Sequence, residues 1–487
     1  MQLTLAAILL AGATAHAGAP QDSGALDATF GTAGKMRLAN PPGNDSFVAT
    51  DAAIQPDGKT VIAGYTDYQG TPDGWVVTRL NADGSLDTNF GGHTNGNPVA
   101  GFEFPYAGSS VNQAFSVALR PDGHIVVGGT IIDENNGRIT AVVLQLNADG
   151  SADGSFGNNG PGATYLTPAS GDSSYLARLI IDSDGTTDVA GTYYNNQGGF
   201  NGNQFYFARV STDGKTIEPF QYEFGSGPNQ DDHALNLAID NQGRYVLVGY
   251  HRGSGGNYDC AAIRILNNLF DVDNTFGTAG QTTVAFDLGG DDGDSCDAIA
   301  IFHGSQYMAI GGHASVDASG NQKAIIAMLD NNGDLDQYYS DQIGYPARLA
   351  FTYGGAADAA TTVSKLIIDN NDTKTPTLMA IGTGFQSSVP YGDAFGVARF
   401  TLPAYVNFAP DTTFNGSGTQ SVFFDECPDG IGLLRTYNAA GSATYANGKL
   451  TVVGETACTS GGTSNISAAR FAPFDVIFNN GLDFPSY

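Results

Sequence analysis

Positive charge is what this chain has least of. Only 20 Lys and Arg stand against 49 Asp and Glu in 487 residues, a formal net charge of −29. A surface of that sign repels phosphate backbones and anionic lipid, so nucleic acid is not expected as a partner. Charged residues of both signs make up 14% of the chain while 41% is apolar, which excludes a disordered polyelectrolyte. Long apolar runs are also missing. Beyond residues 3–13 no segment approaches the roughly 18 residues of a membrane-spanning helix, and no span is expected. Helical spacing is nowhere sustained. No H-E-x-x-H, G-x-S-x-G or P-loop phrase occurs, and the seven His are scattered, so common hydrolase and nucleotide sites lack their usual signatures. The four Cys contain no C-x-x-C pair, which speaks against structural zinc.

Glycine, by contrast, is the commonest residue at 66 copies, and it accompanies Asn, Asp and Thr in the way that short strands and tight turns require. Residues 3–13 have the length of a secretory signal core and are followed by Ala15-His16-Ala17, an A-x-A cleavage site. No Lys or Arg precedes that core. The expectation is a signal peptide at 1–17, cleavage near Ala17, and a mature protein that is secreted, periplasmic or on the cell surface. Residues 18–487 then form one domain.

Internal repetition dominates what remains. A β-rich run, a turn and a second β-rich run ending in Gly appear as AAIQPDGKTVIAG, ending at Gly64, and as VALRPDGHIVVGG, ending at Gly129. Weaker copies end at Gly191, Gly249, Gly312, Gly382 and Gly454. An alternating strand follows, closing on Arg and an apolar residue at Arg79, Arg209, Arg264, Arg399 and Arg470, with Gln145 and Met328 in the other two copies. A turn, an L-D-x-x-F-G phrase such as Leu86 to Gly91, and one short strand complete the unit. Asp-Gly and Asn-Gly pairs supply the positive φ angles of hairpin turns. Four antiparallel strands repeated seven times predict an all-β, seven-bladed β-propeller, because a lone four-stranded sheet exposes two apolar faces that only radial stacking can cover. The recurrent Gly is expected where neighbouring sheets approach closely. Closure is expected through pairing of the N- and C-terminal strands, which removes an open edge. Each repeated Arg is expected to pair with the Asp of an L-D-x-x-F-G phrase, such as Asp27, Asp87, Asp153 or Asp273.

These phrases, L-D-x-x-F-G, then A-x-Q-P-D-G-K-x-V-x-A-G, then A-R-L-N-x-D-G-S, resemble the bacterial delta-60 repeat over about residues 25 to 480. The resemblance implies an exported or surface propeller and supplies no catalytic residues.

Antiparallel order places the Asp-Gly hairpins and the L-D-x-x-F-G connections on one face and the variable loops on the other. Variable loops on a rigid scaffold are where binding residues gather. The cysteines are expected to staple loops on that face as Cys260–Cys296 and Cys427–Cys458. Asp287, Asp291, Asp292 and Asp294 concentrate carboxylates in one such loop and make calcium the candidate cofactor. Tyr65, Tyr193, Tyr250, His251 and His313 are the candidate binding residues. The expected function is non-catalytic binding of a protein or polysaccharide by the variable face. The alternative is a secreted hydrolase or lyase with a calcium- or His/Asp-based site in the central funnel.

Overall fold

A computed structural model of the protein describes residues 24–472, apart from the segments 41–45, 69–70, 94–98, 106–111, 134–136, 159–161, 168–171, 196–201, 225–230, 254, 268–270, 290–292, 303–306, 318–320, 337–346, 355–360, 370–376, 387–391, 402–408, 425–435 and 459–463. The signal segment 1–17, Asp291, Asp292 and Cys427 lie outside the described residues, as does the side chain of Cys458.

Every regular element among the described residues is a β-strand, arranged as seven antiparallel blades of four strands. From the axis outward, blade 1 is Ser46–Ile54, Thr60–Tyr68, Thr71–Leu80 and Phe102–Glu103. Blade 2 is Gln113–Leu119, Ile125–Asp133, Arg138–Leu146 and Ala163–Leu166. Blade 3 is Ser173–Ile181, Thr187–Asn195, Gly202–Val210 and Ile217–Tyr222. Blade 4 is His233–Ile239, Tyr245–Arg252, Tyr258–Leu266 and Gln281–Val284. Blade 5 is Asp294–Ile301, Met308–Ser315, Gln322–Leu329 and Arg348–Phe351. Blade 6 is Lys365–Asp369, Thr377–Gln386, Gly392–Thr401 and Thr419–Val422.

Blade 7 takes three strands from the C-terminal part, Thr436–Ala446, Lys449–Cys458 and Ser464–Arg470, and its outermost from the N-terminal part, Lys35–Arg37. Lys35, Met36 and Arg37 pair with Ala469, Ala468 and Ser467. The ring thus closes as the repeat phase predicts. Seven apolar clusters fill the seven interfaces between blades; one joins Val453, Ile466 and Ala468 of blade 7 to Phe47, Ile62 and Val76 of blade 1. Each sheet buries its faces against its two neighbours, as radial stacking requires.

The repeated Arg side chains bind the ring on the Asp-Gly face. Arg79 meets Asp87 at 2.8 Å, Arg264 meets Asp273 at 2.9 Å, Arg399 meets Asp411 at 2.6 Å, and Arg470 meets Asp27 at 2.9 Å across the closure. Gln145 replaces the Arg of blade 2 and still donates to Asp153 at 2.7 Å. Each guanidinium also lies over the Phe of its own L-D-x-x-F-G turn, at 4.7 Å for Phe90 and Phe276 and 4.5 Å for Phe30. Arg264 and Arg470 reach further, donating to the turn carbonyls of Asn331 and Ala82 in the next blade. Blade 3 lacks the phrase, and there Arg209 finds Asp182 and Asp188 instead.

The anchor glycines are crowded chiefly from within the blade, and the neighbouring sheet adds a contact at Gly129, where a Cβ would fall 2.7 Å from Trp75 Cζ2. A Cβ added at Gly64, Gly191, Gly249 or Gly312 would fall 1.8–2.0 Å from a carbonyl oxygen of the same blade's inner strand, and one at Gly382 would fall 1.8 Å from the Thr362 carbonyl just ahead of that strand. The cause is a β-bulge opposite the Gly in six of the inner strands, for example between Ala49 and Asp51 or between Ala234 and Asn236. The extra residue pushes the inner strand's backbone toward its partner.

Candidate functional site

Those bulges decide what reaches the axis. At regular alternation Phe115 and Leu235 would pack between blades. The inserted residue instead leaves them in the wall of the central channel. On the variable face the channel opens as a funnel of about 660 Å³, lined by Val48, Phe115, Tyr175 and Leu235 from blades 1 to 4, with His233 and Glu455 among its polar residues. Tyr175 is 36% exposed, a large apolar side chain held open to solvent.

One residue deeper, the position that follows each of the six bulges, with Lys365 at the matching place in blade 6, forms a ring around the axis: Asp51, Ser116, Arg178, Asn236, Ala298, Lys365 and Ser442. Each pairs with the residue just before an anchor Gly, as Asp51 does with Ala63 and Lys365 with Ile381. Polar members link successive blades: Asn236 donates to the Asp297 carbonyl at 2.9 Å, and Ser116 to Asp51 at 3.0 Å. Asp51 is fully buried and meets Arg178 at 2.7 Å. Burial alone would raise the Asp51 carboxyl, but Arg178 and Lys365 outweigh it and hold it below its ordinary range. Burial and the Arg178 charge pull Lys365 down to about 8, with Asp51 opposing.

A second cavity, of about 340 Å³, lies on the rim between blades 4 and 5 and is lined by Tyr250, Tyr258, Asp294, Ser295, His313 and Ser315. His313 Nδ1 is 2.9 Å from Asp297, and Ser295 donates to the same carboxylate at 2.6 Å. Nearby, both nitrogens of His233 are engaged, one with Asp231 at 2.8 Å and the other with Thr192 at 3.1 Å.

Of the candidate residues, the structure brings Tyr250 and His313 to this rim cavity. His251 is held against Asp232 at 2.6 Å and stacks on Phe224. Tyr193 is buried, its hydroxyl on Asp172 at 2.8 Å, and Tyr65 stands three blades away in blade 1. Asp294 accepts the Phe286 N–H and is raised by burial, as is Asp259 beside Asp287. Among the described residues no three His, Cys, Asp or Glu side chains converge to hold a metal. Cys260 and Cys296 do form a disulfide. It joins the third strand of blade 4 to the inner strand of blade 5 inside the apolar interface, not two surface loops as the sequence suggests. Sequence reasoning missed Phe115, Tyr175 and the charged ring. A fixed offset could have found the ring, since Asp51, Ser116 and Arg178 each stand six residues ahead of a turn Asp, at Asp57, Asp122 and Asp184.

His313 gives a direct test of the rim. Burial alone would lower its pKa, but the Asp297 hydrogen bond and the charges of Asp297 and Asp294 raise it above the ordinary value of 6.5. A raised histidine contributes stability that is complete below its unfolded pKa and is lost as pH rises through the folded one. Imidazole NMR titration is expected to give a midpoint above 6.5, and Asp297→Asn should bring it down. An unmoved midpoint would show that Asp297 does not hold the ring.

Residues 55–90 and 120–156, within blades 1 and 2, match a family model described as a domain of unknown function (DUF5122) beta-propeller. This match supports a β-propeller repeat family. No curated protein matches the chain. Among solved structures it is similar to the virginiamycin B lyase of Staphylococcus aureus at 9% identity and TM-score 0.40, over 90% of this chain and 99% of that one. It is similar to an α-L-arabinofuranosidase of Fusarium graminearum at 9% identity and TM-score 0.41, over 76% and 97%. PorZ, a surface component of the type-IX secretion system of Porphyromonas gingivalis, is similar at 12% identity and TM-score 0.36, over 89% and 48%. Each is a likeness of overall shape at low identity. No helix among the described residues is long and apolar enough to cross a membrane.

Proposed function

We propose that this protein is an exported, non-catalytic binding propeller that takes a protein or polysaccharide on its variable face, with an apolar or aromatic group of the partner seated in the axial funnel. One observation carries the reading: Val48, Phe115, Tyr175 and Leu235 from four different blades converge on one open cavity. Convergent apolar side chains held open to water mark a ligand site, because leaving them hydrated is unfavourable unless something covers them. The delta-60 resemblance, the signal-like N-terminal residues and the buried disulfide support an exported protein.

The hydrolase or lyase alternative rests on His313. Asp297 orients its Nδ1, and among the described residues its Nε2 has no partner beside the rim cavity, as a general base requires.

One experiment separates the two. The protein and a Tyr175→Ala/Leu235→Ser variant are applied to arrays of neutral and acidic polysaccharides and of displayed peptides, with released products followed by mass spectrometry. The expected result is binding without turnover that falls about tenfold or more in the variant while its melting temperature is kept. Arrays that hold nothing, or ligands that bind both proteins equally, would overturn the funnel reading. Product release that stops in His313→Gln would establish the alternative.

A further inference from the structure

The charged ring below the funnel holds more than closure of the propeller requires. Hydrogen bonds of the Ser116 and Asn236 kind link successive blades with neutral groups, and Ala298 occupies the same position with no polar group at all. Blades 1, 3 and 6 nevertheless place Asp51, Arg178 and Lys365 there, two cations and one anion, in a chain whose net charge is −29.

Their hydrogen bonds are unequally shared. Asp51 is already engaged: Oδ2 accepts from Ser116 Oγ at 3.0 Å and the Val117 N–H at 2.9 Å and lies 2.7 Å from Arg178 Nη1 in an ion pair, and Oδ1 accepts from Ser442 Oγ at 2.7 Å. Arg178 makes that ion pair through Nη1. Among the described residues its other donors meet no acceptor, and the Lys365 ammonium has neither a hydrogen-bond acceptor nor an ion-pair partner. Both side chains are only partly buried, Arg178 16% exposed, so a small solute in the channel can reach them.

Two cations brought together with surplus donors, in surroundings that weaken water's screening, form an environment that selects an anion. Asp51 is already shared among Ser116, Val117, Ser442 and Arg178, so it does not neutralise both cations alone. A planar or tetrahedral oxyanion suits both partners, because guanidinium offers a rigid fork and ammonium a movable point charge.

We propose that the propeller axis is an oxyanion-binding site, in which Arg178 and Lys365 hold a carboxylate, sulfate or phosphate group above the Asp51 anchor. The site is independent of the funnel reading, because a small inorganic anion suffices to fill it. Where the oxyanion is the end group of an apolar acid, the funnel takes the rest of that molecule.

Isothermal titration calorimetry on the full chain tests the site, with sodium sulfate, phosphate, acetate and benzoate at matched ionic strength. Saturable binding with one site per chain is expected for at least one salt. Lys365→Met, which keeps length and leaves the Asp51–Arg178 pair intact, should weaken binding about tenfold or more, and Lys365→Arg should retain it. Tighter binding of benzoate than of acetate identifies an apolar acid as the source of the oxyanion; preference for sulfate or phosphate identifies a free inorganic ion. No saturable binding by the wild-type chain, or equal binding by Lys365→Met, overturns the proposal. Should Lys365→Met not fold, the wild-type isotherms and their retention in Lys365→Arg decide it.

Discussion

Replacing Arg264 by alanine is expected to destabilise the propeller by about 3–5 kcal/mol. The side chain is fully buried. It makes three kinds of contact: the ion pair with Asp273 at 2.9 Å, the face of Phe276 at 4.7 Å, and the turn carbonyl of Asn331 in blade 5. Truncation removes all three and leaves the partly buried Asn331 carbonyl without its donor. Asp273 keeps a second cation, Arg244 at 3.1 Å, which places the loss toward the lower end of that range. Arg264→Lys should recover only part of it. An ammonium can meet Asp273, but it has neither the planar face that covers Phe276 nor the fork that reaches two acceptors. The check is a urea unfolding series on the three proteins. Equal midpoints for wild type and Arg264→Ala would refute the staple.

Loss of the Cys260–Cys296 disulfide is the second large effect expected. The bond closes a segment of 36 residues, and the chain-entropy relation gives about 3–4 kcal/mol for a loop of that size. Both sulfurs are fully buried in the interface between blades 4 and 5, so a Cys260→Ala/Cys296→Ala variant also loses packing there. The rim cavity with Tyr250 and His313 straddles the same two blades. Differential scanning calorimetry should therefore show a lower midpoint, and the His313 titration should shift with it. A variant that melts with the wild type would mean that the apolar interface alone holds these blades in place.

Much of this molecule is legible in its sequence because the information is local. Pro56-Asp57-Gly58 specifies a hairpin by its own dihedral preferences, and Gly58 takes the expected positive φ of 84°. The Arg79–Asp87 pair is separated by eight residues, short enough to be read from one phrase. Even the closure follows from counting strands. Tyr65 and Tyr193 look like equivalent binding residues, yet the second is buried against Asp172, because it stands two residues past Gly191 while Tyr65 stands one past Gly64, and alternation sends them to opposite faces. Phe115 misleads in the opposite sense. It sits in an alternating run that reads as core, and a single bulge leaves it in the channel wall.

The sequence by itself determined the sevenfold repeat, the four-stranded blade, the faces on which the loops emerge and the Asp partner of arginines such as Arg79 and Arg264, since each of these is set within one unit by turn chemistry and alternation. Only the tertiary structure decided what meets at the axis. Asp51, Arg178 and Lys365 come from three units and differ in type, so their shared offset in the repeat does not by itself announce that they meet. Ring closure brings their strands side by side, and the bulges, whose offset from the alternating pattern is one residue, turn those side chains toward a common centre.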